Sequence, residues 1–98
     1  MQVRFSGKSR ADLRAIAKFI ASDNPSRARS FVNELQDACP ELSSNPERFA
    51  VPSRYQDKAY RRRPHGHYGI IYVVAEDTVT VLRVLHSAMK LATAMAQD

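Results

Sequence analysis

Arg83 and His86 stand three positions apart near the end of an otherwise apolar run, Val79-Thr80-Val81-Leu82-Arg83-Val84-Leu85-His86. A guanidinium fork matches phosphate or carboxylate, and an imidazole can exchange a proton near neutral pH. Together they are a minimal kit for acid/base work on a phosphate, provided that further groups converge on them. Strand alternation puts Arg83 on the face shared by Val79, Val81 and Leu85. A charge there must pair with a carboxylate or open onto a cleft, because an unpaired buried charge is too costly. The residues alone leave both outcomes open.

The second concentration of chemistry is Arg61-Arg62-Arg63, beside Lys58 and Tyr60. Alternation divides it, with Lys58, Tyr60 and Arg62 on one side of a strand and Arg61 and Arg63 on the other. Such a cluster suits an anionic partner, or simply guards a sheet edge with charge. His65, His67 and His86 are too few and too loosely spaced to predict a metal centre. Cys39 falls on an apolar helical stripe and is expected to be a small buried hydrophobe. There is no glycine-rich phosphate loop, so no nucleotide cofactor is expected, nor any other.

The elements that must position these groups follow from periodicity. Gln2–Ser6 alternates Val3 and Phe5 with polar neighbours, a short strand that Gly7 and Lys8 should break. Ser9 is the expected cap of a helix over 9–22, with Leu13, Ile16, Ala17 and Ile20 on one face and Arg10, Asp12, Arg14 and Lys18 off it. Asp23-Asn24-Pro25 offers a cap followed by proline at the first helical position. A second helix then places Ala28, Phe31, Val32, Leu35, Cys39 and Leu42 at helical spacing, and Pro40 should kink it or detach Glu41–Ser44 as a final turn. Two amphipathic helices joined this tightly predict an antiparallel hairpin around a common core. Phe19 and Phe31 flank these stripes; they are core by default, yet a helix hairpin can also leave an apolar groove for a partner.

Beyond the hairpin, 47–57 shows no period and reads as an irregular connection. A basic strand over 58–63 is demoted to a sheet edge by Pro64. His65-Gly66-His67 should turn the chain. Tyr68–Ala75 and Val79–Leu85 are apolar on both faces, as central strands covered on both sides would be, and Glu76-Asp77-Thr78 joins them. Residues 88–98 read either as a short last helix or as a tail ordered by a partner. The predicted fold is one small α+β domain over 1–98, in the order β-α-α-β-β-β, with a helical hairpin on a mainly antiparallel sheet.

Composition narrows the class. Ninety-eight residues support one core, and 44% hydrophobic with 26% charged residues is an ordinary globular balance. A net charge of +5 and a pI near 9.8 favour nucleic acid, ribosome or an acidic protein over a neutral small molecule. A single cysteine fits a reducing cytosol, and neither a signal core nor a membrane span is expected.

Three segments in this order, DLRAIAKFIASDNPSRARSFVNELQDAC, NPERF and YRRRPHGHYGIIYVVAEDTVTVLRVLHS, carry a resemblance. The chain resembles the ParE branch of the RelE/ParE toxin superfamily of type II toxin–antitoxin modules, from Val3 to about Lys90. The resemblance implies a toxin neutralised by a cognate antitoxin, usually with a ribbon-helix-helix DNA-binding domain, and operator DNA met only through that antitoxin. ParE-type relatives are associated with inhibition of DNA gyrase; RelE-type relatives are ribosome-dependent mRNA interferases. An interferase needs phosphate-holding cations and an acid/base, often a tyrosine near the C-terminus. Arg83 falls near a basic position of that branch, but no tyrosine follows Tyr72, which favours a gyrase inhibitor without catalytic residues. The nuclease alternative would use Arg83, His86 and Arg61. The partner-binding set expected on the inhibitor reading is Tyr60, Arg61, Arg62, Arg63 and Arg83, with Phe19 and Phe31.

Overall fold

The computed structural model describes residues 2–44 and 60–87. The irregular connection over 47–57, the Lys58 end of the basic strand and the segment 88–98 lie outside them. The elements are β1 (Gln2–Phe5), α1 (Gly7–Ala21), α2 (Pro25–Ser44), β2 (Arg61–His65), β3 (Tyr68–Ala75) and β4 (Thr78–His86). They form the expected α+β unit, two helices packed on a four-stranded sheet of order β1-β4-β3-β2. β2, β3 and β4 are the antiparallel meander, and β1 joins β4 in parallel, Gln2 opposite Thr78 through Phe5 opposite Val81.

The first helix starts earlier than its sequence suggests. Ser6, not Ser9, is the N-cap; its hydroxyl accepts the Ser9 N–H at 3.0 Å. Gly7 and Lys8 therefore form the first turn rather than a break. The reason is tertiary, because Ser6 is already pinned to β4 by its own N–H on the Val81 carbonyl at 2.9 Å. Ser9 is buried inside the helix and returns its hydroxyl to the Ser6 carbonyl at 2.8 Å. The hairpin follows expectation: Asn24 Oδ1 accepts the Arg27 N–H at 3.1 Å, with Pro25 at the first helical position. α2 continues as one helix through Pro40 to Ser44, so Glu41–Ser44 is not a separate turn.

The core lies between α2 and the sheet. Phe31, Leu35, Ala38 and Leu42 pack on Ile70, Tyr72, Val79, Val81 and Val84, with Leu13, Ile16 and Ile20 of α1 beside them. Ala17 instead lines a groove between the helices. β3 is buried on both faces, since Ile71 joins Leu85, Tyr60 and Leu82 in a second cluster on the other side. β2 is an edge strand among the described residues. His65 and Tyr68 close the two-residue turn Gly66-His67, so the next pair, Pro64 with Gly69, is non-hydrogen-bonded and the missing proline N–H faces outward. His65 belongs to the strand rather than to the turn.

Candidate functional site

β1 is only four residues long, so it covers β4 no further than Val81. Past that point the edge of β4 needs other partners, and α1 supplies them. The Ser6 hydroxyl donates to the Leu82 carbonyl at 2.7 Å. Asp12, further along the helix, accepts the Val84 N–H at 2.9 Å on Oδ2. The same carboxylate takes the Arg83 fork, Nε on Oδ2 at 2.8 Å and Nη2 on Oδ1 at 3.0 Å. Both side chains are largely removed from water, 13% and 16% exposed. Arg83 thus meets both outcomes its sequence left open, paired with a carboxylate and lining a groove.

A bulge corrects the assigned face of Arg83. Ile71 pairs with Arg83 and Tyr72 with Val81, so Leu82 is an extra residue on β4. After it the alternation is reset: Val84 continues the face of Val79 and Val81, and Leu85 turns to the second cluster. Arg83, paired with Ile71, therefore shares a face with Leu85 but not with Val79 and Val81.

Around this pair lies a shallow groove of about 250 Å³ lined by Asp12, Phe19, Tyr68, Arg83 and His86 among others. A second groove of about 320 Å³ shares Phe19, Tyr68 and His86 and adds Arg27, Phe31 and His67. Phe19, 72% exposed, is the ridge between them, so it is not the core residue its type suggests. Behind it the rings run in edge-on contact, Phe31 to Tyr68 at 5.1 Å and Tyr68 to His86 at 5.2 Å. His67 stacks on His86 at 6.1 Å. Phe31, expected at a partner surface, is 4% exposed and held in the core, with Arg27 5.4 Å above its ring.

The arginine triplet is not one surface. Arg63 turns to the helix side and pairs with Glu41 of α2 at 3.0 Å. Arg62 takes the opposite face, where its guanidinium lies across Gly69: a Cβ there would stand 2.7 Å from Arg62 Cζ. The bare glycine backbone is what lets the arginine lie flat across β3. Arg61 pairs across from Tyr72, and Tyr60 packs against Ile71 and Leu85. Arg61 is separated from β4 by β3, roughly 10 Å from strand to strand. The nuclease set therefore splits, with Arg83 and His86 on one groove and Arg61 two strands away.

His65 is tied to Glu34 at 3.2 Å, and Glu34 also takes Arg27. The Arg27 hydrogen bond is the main reason that the Glu34 carboxyl sits below its ordinary value, with His65 adding to it. Among the described residues, no group of three or more His, Cys, Asp or Glu is arranged to hold a metal ion. No described helix is long and apolar enough to cross a membrane. The residue that sequence reasoning passed over is Asp12. Its signal was present, as the one carboxylate in a helix otherwise charged by Lys8, Arg10, Arg14 and Lys18.

Three comparisons bear on this arrangement. The family model described as ParE toxin of type II toxin-antitoxin system, parDE, matches residues 3–91. Among solved structures, the chromosomal ParDE TA system from P. aeruginosa is similar at 19% identity and TM-score 0.73, over 88% of this chain and 95% of that one. The toxin-antitoxin complex RelBE2 from Mycobacterium tuberculosis is similar at 26% identity and TM-score 0.61, over 87% of this chain and 95% of that one. No curated protein matches.

Proposed function

The chain belongs to the ParE toxin family of type II toxin–antitoxin systems, and we propose that it acts by binding and inhibiting DNA gyrase until a cognate antitoxin neutralises it. The observation that carries the choice against RNA cleavage is the forked pair of Arg83 with Asp12. A cation that must stabilise a phosphate transition state has to present its donors to the substrate. Here the Nε and Nη2 donors of Arg83 are already spent on a carboxylate that also anchors the strand. No tyrosine follows Tyr72 to serve as the acid/base of an interferase. His86 alone, stacked on His67 and edge-on to Tyr68, has neither an available arginine fork nor Arg61 beside it.

The antitoxin is proposed on the family membership and on the complexes named above, and a ribbon-helix-helix DNA-binding domain is the type expected. Its wrapping segment would meet the sheet edge and the helix hairpin. Tyr60, Arg61, Arg62 and Phe19 are the members of the expected contact set that this reading retains at or near the surface.

Purified toxin assayed for gyrase supercoiling and for translation on programmed ribosomes tests the proposal. Inhibited supercoiling with intact messenger is the expected result. Cleaved messenger with untouched supercoiling would overturn it and would make Arg83 and His86 catalytic candidates.

A further inference from the structure

The exposed face of α1 carries charge that the free protein would be better without. Arg10, Arg14 and Lys18 recur every fourth residue, so they form one row, and all three are exposed. Like charges at this spacing repel, and Arg10 with Lys8 also puts cations in the first turn, against the helix dipole, where no acidic residue stands. The helix's one carboxylate, Asp12, is turned away and consumed by Arg83 and the Val84 N–H. Arg10 spends only its Nε, on the Phe5 carbonyl at 3.3 Å. The side chains of Arg14 and Lys18 make no hydrogen bond or ion pair among the described residues. Unfavourable charge kept in line on a rigid element calls for an anionic surface opposite.

We propose that the Arg10–Arg14–Lys18 row of α1 is a contact surface for the phosphate backbone of duplex DNA. The row runs about 12 Å along the helix axis, over which a duplex offers roughly seven phosphates. The side chains between the cations on this face are small, Ala11 and Ala17, so a backbone can approach closely. The contact proposed is to phosphates, which carry no sequence information, and α1 holds no Asn, Gln or Glu to read adenine or cytosine edges. Single strands are disfavoured because they call for aromatic platforms interleaved with the charge. The helix's aromatic, Phe19, belongs to the opposite flank, on the groove with Asp12 and Arg83, while Lys18 borders the groove towards α2. This surface departs from the expectation that DNA is met only through the antitoxin, and it does not depend on gyrase being the target.

The experiment measures binding of the full chain to a labelled duplex of scrambled sequence across a salt series. Arg10→Gln/Arg14→Gln/Lys18→Gln should lower affinity at low salt by about tenfold or more and reduce the salt slope by about 3. Arg14→Lys, which keeps the charge, should retain both. Removing repulsion should leave the melting temperature equal to or above that of the parent chain, so a loss of binding cannot be put down to unfolding. Unchanged affinity and slope in the triple variant would overturn the proposal. So would tighter binding to single strands that is lost on Phe19→Ala. A triple variant that keeps duplex affinity but loses the antitoxin would assign the row to a protein partner and overturn it as well. Supercoiling inhibition, measured in parallel, reports on the gyrase reading separately.

Discussion

Asp12 and Arg83 are 71 residues apart in the chain and face each other across the end of a strand, joined by two hydrogen bonds of 2.8 and 3.0 Å. The same Asp12 oxygen that takes Arg83 Nε also takes the Val84 N–H. One carboxylate thus settles a side-chain charge and closes a sheet edge. Removing either partner leaves the other charge poorly solvated, which typically costs about 3 kcal/mol or more. Asp12→Ala should be worse than Arg83→Ala, because it also orphans the Val84 N–H. Chemical denaturation of the two single variants and the double variant checks the order and yields the coupling between them. If Arg83→Ala instead leaves stability unchanged and abolishes toxicity while antitoxin binding persists, Arg83 belongs to the toxic surface.

Ser6 does two jobs with one hydroxyl, capping α1 and donating to Leu82 of β4. Ser6→Ala should cost about 1–2 kcal/mol, at the upper end for a cap. Ser9→Ala removes a hydroxyl bonded only within the first turn and should cost less. Urea midpoints of the two variants decide between them.

Glu76 opens the turn between β3 and β4 at φ 56°, in the left-handed region, as Gly66 does in the preceding hairpin at φ 57°. A β-branched side chain is poorly tolerated there. Glu76→Val should destabilise by about 1–2 kcal/mol, whereas Glu76→Gly should not destabilise. Thermal melts of both variants give the comparison.

Glu34 titrates below its ordinary value of 4.5, chiefly through Arg27. A carboxyl whose pKa is depressed by folding adds stability above its unfolded pKa and loses it as pH falls through the folded one. Stability should therefore drop in acid, below about pH 4.5, and Glu34→Gln should flatten that part of the curve by lowering stability near neutrality while leaving it unchanged at low pH. The pair is exposed, so the effect should be small and fade in salt.

Most of the architecture was legible because periodicity and punctuation agreed. Asn24-Pro25 marked the hairpin, and the doubly apolar Tyr68–Ala75 marked a central strand. The failures share a cause. Ser6 displaced Ser9 as the cap because β4 claims Ser6 first, and Arg83 changed face because one extra residue, Leu82, resets the alternation. Phe31 is buried because it lies on the α2 stripe with Leu35 and Leu42, whereas Phe19 lies off the α1 stripe of Leu13, Ile16 and Ile20 and is exposed. Non-local hydrogen bonds and a bulge leave no period in a sequence. Of the candidate site, Arg83 and His86 could be named in advance; Asp12 was marked only as the single carboxylate of α1, and the ring of Tyr68 carried no signal of its place beside His86.

The parallel pairing of β1 with β4 has a consequence for how the chain comes into being. Synthesis is vectorial, and Ser6 and Asp12 leave the ribosome some 70 residues before the strand that satisfies them. Until β4 emerges, α1 has neither its edge contacts nor a neutralised Asp12, and the first strand has nothing to pair with. Contacts this distant also slow folding, because a long loop must close before they are rewarded. The fold therefore becomes complete only once β4 has been made, and any chain cut short before β4 leaves Ser6 and Asp12 of the N-terminal part without the strand they bind.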